Sequence, residues 1–129
     1  MAKVKDTTMI IIGVVAFIAV AAGGFGEHAL GPNMTPEMKH AWGLAVQFNL
    51  VHAVAMMALF AAMKSIDPDS SAARRLNRAF YLLLLGTTLF AGSIYAMGLG
   101  APGKTVGPLT PVGGVTLMTG WLTVAFAGF

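Results

Sequence analysis

Three polar side chains, Gln47, Asn49 and His52, interrupt an otherwise apolar run from Ala41 to Met63. An imidazole can carry a proton, ligate a metal or satisfy its neighbours, and an amide can bind a polar guest or tie two helices together. Ser93 and Tyr95 offer hydroxyls in a second apolar run, and Glu27 and His28 close a third. A run of this length without a formal charge reads as a membrane span. Polar groups inside a span are costly and face protein or water rather than lipid. His52 therefore has three readings: a proton carrier, a ligand, or a ring bonded to Asn49 and a backbone carbonyl. The last is favoured.

Metal chemistry has a weaker footing. Glu27, His28, Glu37 and His40 share one side of the expected membrane with Met34 and Met38, whose thioethers would suit copper(I). Their spacing matches no ligand motif, so no metal site is assigned. A haem held by His28 and His52 is disfavoured, because the helical rise separates the two by about 13 Å in depth while axial ligands must be level. No cofactor is expected. The chain has no cysteine, hence no thiolate ligand or thiol nucleophile. It also lacks a nucleophile–base pair, a phosphate loop and paired carboxylates, and we do not expect an enzyme.

The elements that position these groups follow from composition. Of 129 residues, 57% are hydrophobic and 10% charged, against roughly 25% charged in soluble domains. Sixteen glycines and nine methionines suit closely packed membrane helices. The net charge of +3 resides in Lys and Arg between the spans, which speaks for orientation in a bilayer and against nucleic acid.

Four spans are expected, approximately 8–30, 41–64, 79–100 and 109–129, in one all-α integral membrane four-helix bundle. Thr35-Pro36-Glu37 is a helix start, with Thr as cap, Pro in the first turn and an acid behind it. Thr110-Pro111 repeats the signal, and Gly100 to Pro108 reads as a loop. Lys3, Lys5, Lys64, Arg74, Arg75 and Arg78 fall on one side, with only Lys39 and Lys104 on the other. That asymmetry predicts cytoplasmic termini and a cytoplasmic middle loop.

Depth and helical angle then place the polar groups. Gln47 lies about 9 Å, Ser93 about 10 Å, Thr116 about 12 Å and His52 about 16 Å below the outer edge, predicting a polar layer in the outer half. Asn49 and His52 share a face with Met38, Ala45, Met56 and Met63. Gln47 shares another with His40, Gly43, Val51, Ala58 and Ala62. The second helix is accordingly expected to touch neighbours on both faces. The stripes Gly13-Ala16-Val20-Gly24-Glu27 and Thr116-Gly120-Thr123-Ala127 predict close helix packing. Glu27 is expected at the outer mouth, paired with His28, His40 or Lys39.

Several blocks carry a family resemblance: Gly24-Phe25-Gly26-Glu27-His28-Ala29-Leu30, Ala45-Val46-Gln47, His52-Ala53, Leu89 to Tyr95, Gly107 to Gly114 and Gly120-Trp121. Together they resemble the transmembrane protein 256-like family, also called domain of unknown function 423. The resemblance implies four membrane helices, located in bacteria in the inner membrane, and no stated activity. His28, Gln47, His52, Ser93 and Tyr95 match its pattern. Glu27 stands where the family usually has a small residue, and Phe48-Asn49 where it tends to have an aromatic–glutamine pair. The leading expectation is a non-enzymatic membrane protein acting as a homo-oligomer or as a subunit of a larger complex in the lipid bilayer. The alternatives are a small transporter or ligand-binding protein with an outward pocket lined by His52, Gln47 and Ser93, and a copper- or haem-associated subunit.

Overall fold

In the computed structural model, which describes residues 6–129, the first helix opens on a side-chain cap. Asp6 accepts from the amide of Thr8, and α1 runs Thr7–Phe25. A π turn, Gly26–Leu30, and a 3₁₀ turn, Gly31–Asn33, lead out of it. Helix α2 spans Pro36–Lys64, capped by Thr35, whose hydroxyl accepts from Met38 N at 3.1 Å. Helix α3 spans Ser71–Gly98, capped in the same way by Ser70. It ends at Gly100, whose φ of 109° favours a residue without a Cβ. The connection expected to be a loop contains a short helix, α4 (Gly103–Val106), before α5 (Leu109–Ala127). The described residues form no strand, and four helical segments are long and apolar enough to cross a membrane.

Two cap signals of identical sequence therefore have different outcomes. Thr35 caps α2, whereas α5 begins one residue before Thr110, whose hydroxyl bonds instead to Ser93 of α3. The side chain finds a partner on another helix, and the local signal is overridden.

Helix α3 is the organising element: it packs most extensively on α5, then on α2, while α1 packs on α2. Helices α1 and α3 scarcely meet. The main core draws Ile12 from α1, Met56 and Leu59 from α2, Phe80 and Leu83 from α3, and Leu117 from α5. It fills the half of the bundle that bears Lys64 and Arg74. A smaller cluster of Ala45, Ala91 and Ile94 lies toward the other end.

The α3–α5 seam is set by glycine. A Cβ on Gly113 would overlap the backbone of Phe90, one on Gly86 would stand 2.9 Å from Leu117 N, and one on Gly120 would stand 2.8 Å from Leu83. These positions bring two backbones close, as small residues do between membrane helices. Only part of the stripe expected on the fourth span takes part: Gly120 is buried, but its companions are Gly113 and Leu117. The stripe expected on the first span faces outward instead, for Gly13, Val20 and Gly24 are exposed while Ile12 and Ala19 are buried. Smallness marked a surface there, and bulky Phe17 and Phe25 are exposed as well.

At the basic end, Lys64 pairs with Asp6 at 3.6 Å. Arg75 donates to the carbonyl of Phe126 at 2.6 Å, satisfying an orphan acceptor at the end of α5 and placing a cation at its negative pole. Lys3 and Lys5, which entered the charge asymmetry, lie outside the described residues.

Candidate functional site

The polar side chains of the spans separate into distinct ties between helices. His52 is 6% exposed. Its Nδ1 lies 2.7 Å from the carbonyl of Phe48, one turn earlier, and the indole N–H of Trp121 donates to its Nε2 at 3.0 Å. A carbonyl only accepts and an indole N–H only donates, so the two bonds select the tautomer with its proton on Nδ1 and Nε2 as acceptor. The expected carbonyl partner is present. Asn49 is not the other partner; Trp121 is.

Asn49, 3% exposed, reaches toward α1 and α3 instead. The amide orientation that satisfies both of its groups donates to Val15 O at 2.9 Å and accepts from Ala19 N at 3.3 Å and from the Tyr95 hydroxyl at 3.0 Å. One side chain thereby fastens α2 to the backbone of α1 and to α3. Ser93, also buried, donates to Phe90 O at 3.0 Å and shares a short hydrogen bond with Thr110 across the α3–α5 seam. Thr116 folds back onto the carbonyl of Val112 and ties nothing together.

Trp42 makes a further tie. Its indole N–H donates to Ala22 O at 2.8 Å, and its ring lies 4.9 Å from that of Tyr95. A Cβ on Gly26 would overlap the indole from one side, and one on Gly98 would come within 2.6 Å from the other. The tryptophan is wedged between two glycines at the start of the π turn. Nothing in the sequence announces the wedge, since glycines on two different helices carry no pairing signal. Trp121 could have been suspected, since an indole N–H in mid-span must find an acceptor and His52 is the uncommon one available.

Gln47 stands apart. It is exposed on the outer face of α2 beside Gly43, where an added Cβ would meet nothing within 4 Å, and it has no hydrogen bond among the described residues. His52, Gln47 and Ser93 consequently line no common cavity: one faces α5 beside its own backbone, one faces outward, and one lies in the α3–α5 seam. The two faces of α2 also differ from expectation. The face bearing Asn49, His52 and Met56 is buried, whereas that bearing His40, Gly43, Val51, Ala58 and Ala62 is not covered by this chain.

Glu27 and His28 lie on the exposed π turn. Glu27 lines a cavity of about 430 Å³ together with Lys39, Trp42 and Gly43, yet the only ion pair among the described residues is Lys64–Asp6. The expected pairing of Glu27 is absent, on a segment, residues 26–33, that leaves α-helical geometry. Among the described residues, no three His, Asp or Glu side chains gather closely enough to hold a metal ion.

Buried tryptophan, glycine and amide ties between four apolar helices describe a membrane bundle, and comparison with known proteins agrees. A family model described as a protein of unknown function (DUF423) matches residues 22–114. The chain belongs to the DUF423 family. It is similar to a UPF0382 membrane protein of Schizosaccharomyces pombe, 32% identical over 112 residues, covering 83% of this chain and 88% of the relative. A UPF0382 membrane protein of Staphylococcus epidermidis is 31% identical over 121 residues, covering 92% of each chain. The UPF0382 membrane protein YwdK of Bacillus subtilis is 30% identical over 119 residues, covering 92% of this chain and 93% of the relative. No solved structure matches it. This DUF423 chain is an all-α integral membrane protein, and its match spans the π turn, the Asn49–Tyr95 pair and the Ser93–Thr110 pair.

Proposed function

We propose that this DUF423 protein is a non-catalytic membrane component that works in an assembly, as a homo-oligomer or as an accessory subunit of a larger complex. Gln47 carries the reading. A primary amide exposed to hydrocarbon leaves two donors and an acceptor unpaired, which costs free energy until a protein surface covers it. The amide is self-complementary, so a second copy related by a two-fold axis can donate to it and accept from it in one contact. Gly43, Ala58 and Ala62 on the same exposed face let such a helix approach. The other span groups that could do chemistry, His52, Asn49, Tyr95 and Ser93, are already engaged in ties between helices.

The chain is set in this reading in a bacterial inner membrane with both termini in the cytoplasm. Among the described residues, Lys64, Arg74, Arg75 and Arg78 lie at one end of the bundle, with Lys39 and Lys104 at the other, and basic ends stay inside. A fluorescent protein fused at the C-terminus should be bright in this topology, and a periplasm-dependent phosphatase there inactive.

The absence of native cysteine makes the assembly testable. Gly43→Cys places a thiol one turn from Gln47 and leaves the amide intact. Oxidation in native membranes should give a covalent dimer, or an adduct with a second protein, that Phe17→Cys on the opposite side of the bundle does not. A monomer in mild detergent with no co-purifying partner, together with no adduct at Gly43→Cys, would refute the assembly.

A further inference from the structure

The seam between α1 and α3 is open, and it contains a polar group that the fold leaves unused. Two cavities follow it. The first, about 560 Å³, lies toward the π turn between Phe17, Phe25, Trp42 and Leu99. The second, about 200 Å³, lies deeper, between Val15, Asn49, Thr87, Thr88 and Gly92. Ile18 and Tyr95 line both, so they form one continuous groove.

Thr87 is on the wall of the deeper part. It is 4% exposed, and its hydroxyl has no hydrogen-bond partner. Its neighbour Thr88 donates to Leu84 O one turn back, and Thr116, Thr119 and Thr123 of α5 do the same on their own helix. A buried unpartnered hydroxyl is the exception in a folded chain and calls for an explanation. Threonine on a helix often bonds the carbonyl one turn back, but Thr87 makes no such bond, so its hydroxyl is left without a partner on the wall of the groove.

We propose that the groove binds a membrane-dissolved molecule with a small carbonyl-bearing ring and an apolar tail, Thr87 donating to the carbonyl. Depth narrows the class. Thr87 lies about 16 Å along α3 from Gly98, at the middle of a hydrocarbon layer about 30 Å thick. A phospholipid headgroup does not reach that level, and an acyl chain brings no acceptor. Size agrees, since an apolar cavity of about 150 Å³ accepts a benzene-sized ring, and the deeper cavity is about 200 Å³. The tail then occupies the larger outer part, between aromatic and aliphatic side chains.

Decyl-1,4-benzoquinone, a ring with two carbonyls and a ten-carbon tail, is the probe. It is titrated into purified protein in lipid nanodiscs, and quenching of tryptophan emission is followed, since Trp42 lines the outer part of the groove. Saturable quenching is expected. Thr87→Val keeps the side-chain shape and should weaken binding about five-fold, the effect of one neutral hydrogen bond. Gly92→Leu, where an added Cβ meets nothing within 4 Å, should fill the groove and remove saturation while the thermal midpoint is retained. Decylbenzene, which has the tail and no carbonyl, should bind wild type and Thr87→Val alike. Quenching that rises linearly with probe in every variant, or equal affinity of wild type and Thr87→Val for decyl-1,4-benzoquinone, would overturn the proposal.

Discussion

The indole nitrogen of Trp121 and Nε2 of His52 lie 3.0 Å apart, and their hydrogen bond joins α5 to α2, two helices that scarcely pack on each other. Both hang on α3 by separate faces, so the bond acts as a strut across the bundle. Hydrogen bonds between membrane helices contribute on average about 0.6 kcal/mol, and at most roughly 1.7 kcal/mol. A double-mutant cycle of His52→Ala and Trp121→Phe, read by unfolding in mixed detergent, should give a coupling energy in that interval. Additive effects would mean the strut carries no load.

Gly113 should be intolerant. A Cβ there meets the backbone of Phe90, which has no rotamer to yield. Gly113→Leu should therefore cost about 1–3 kcal/mol, or separate α5 from α3 altogether. Gly114→Ala, one residue on and with nothing within 4 Å, should be neutral or stabilising by up to about 1 kcal/mol. Thermal midpoints of the purified variants distinguish the two.

Tyr95→Phe removes one hydrogen bond from Asn49 and should cost about 0.5–1.5 kcal/mol. Asn49→Leu removes that bond and both bonds to the backbone of α1, so α1 should loosen as a unit. Amide exchange measured along residues 15–23 should rise in Asn49→Leu and stay near wild type in Tyr95→Phe.

Arg75→Gln should fray the end of α5, because the Phe126 carbonyl loses its donor. Exchange near residues 125–128 should quicken. Arg78→Gln, whose side chain reaches no carbonyl among the described residues, should leave that region unchanged.

The four spans, their inward methionine face and the Thr35 cap could be read in the sequence, since each depends on local pattern. Hydropathy and helical angle are properties of one helix. What could not be read depends on pairs of helices. The glycine stripe of α1 and the glycines of α5 look alike in sequence, yet only the latter meet a neighbour closely. Thr110 carries the same signal as Thr35 and answers to Ser93 instead. His52 bonds the expected carbonyl, but its other partner, Trp121, lies 69 positions away. Asn49 was separated correctly from Gln47 by angle, while its grip on Val15 and Ala19 required the backbone of another helix.

The π turn at Gly26–Leu30 bears on how this chain can change in length. Its hydrogen bonds run one residue farther than those of an α-helix, so it contains one residue more than the same turn needs. Deletion of Ala29, exposed within it, can be absorbed by tightening to α geometry without rotating the rest of α1 against α2. Deletion of Ala19 would turn every residue beyond it by about 100° and strip Trp42 of its acceptor. The first variant should insert and keep the helical signal of circular dichroism; the second should not. The π turn is thus the place in the first span where a codon can be lost with the bundle intact.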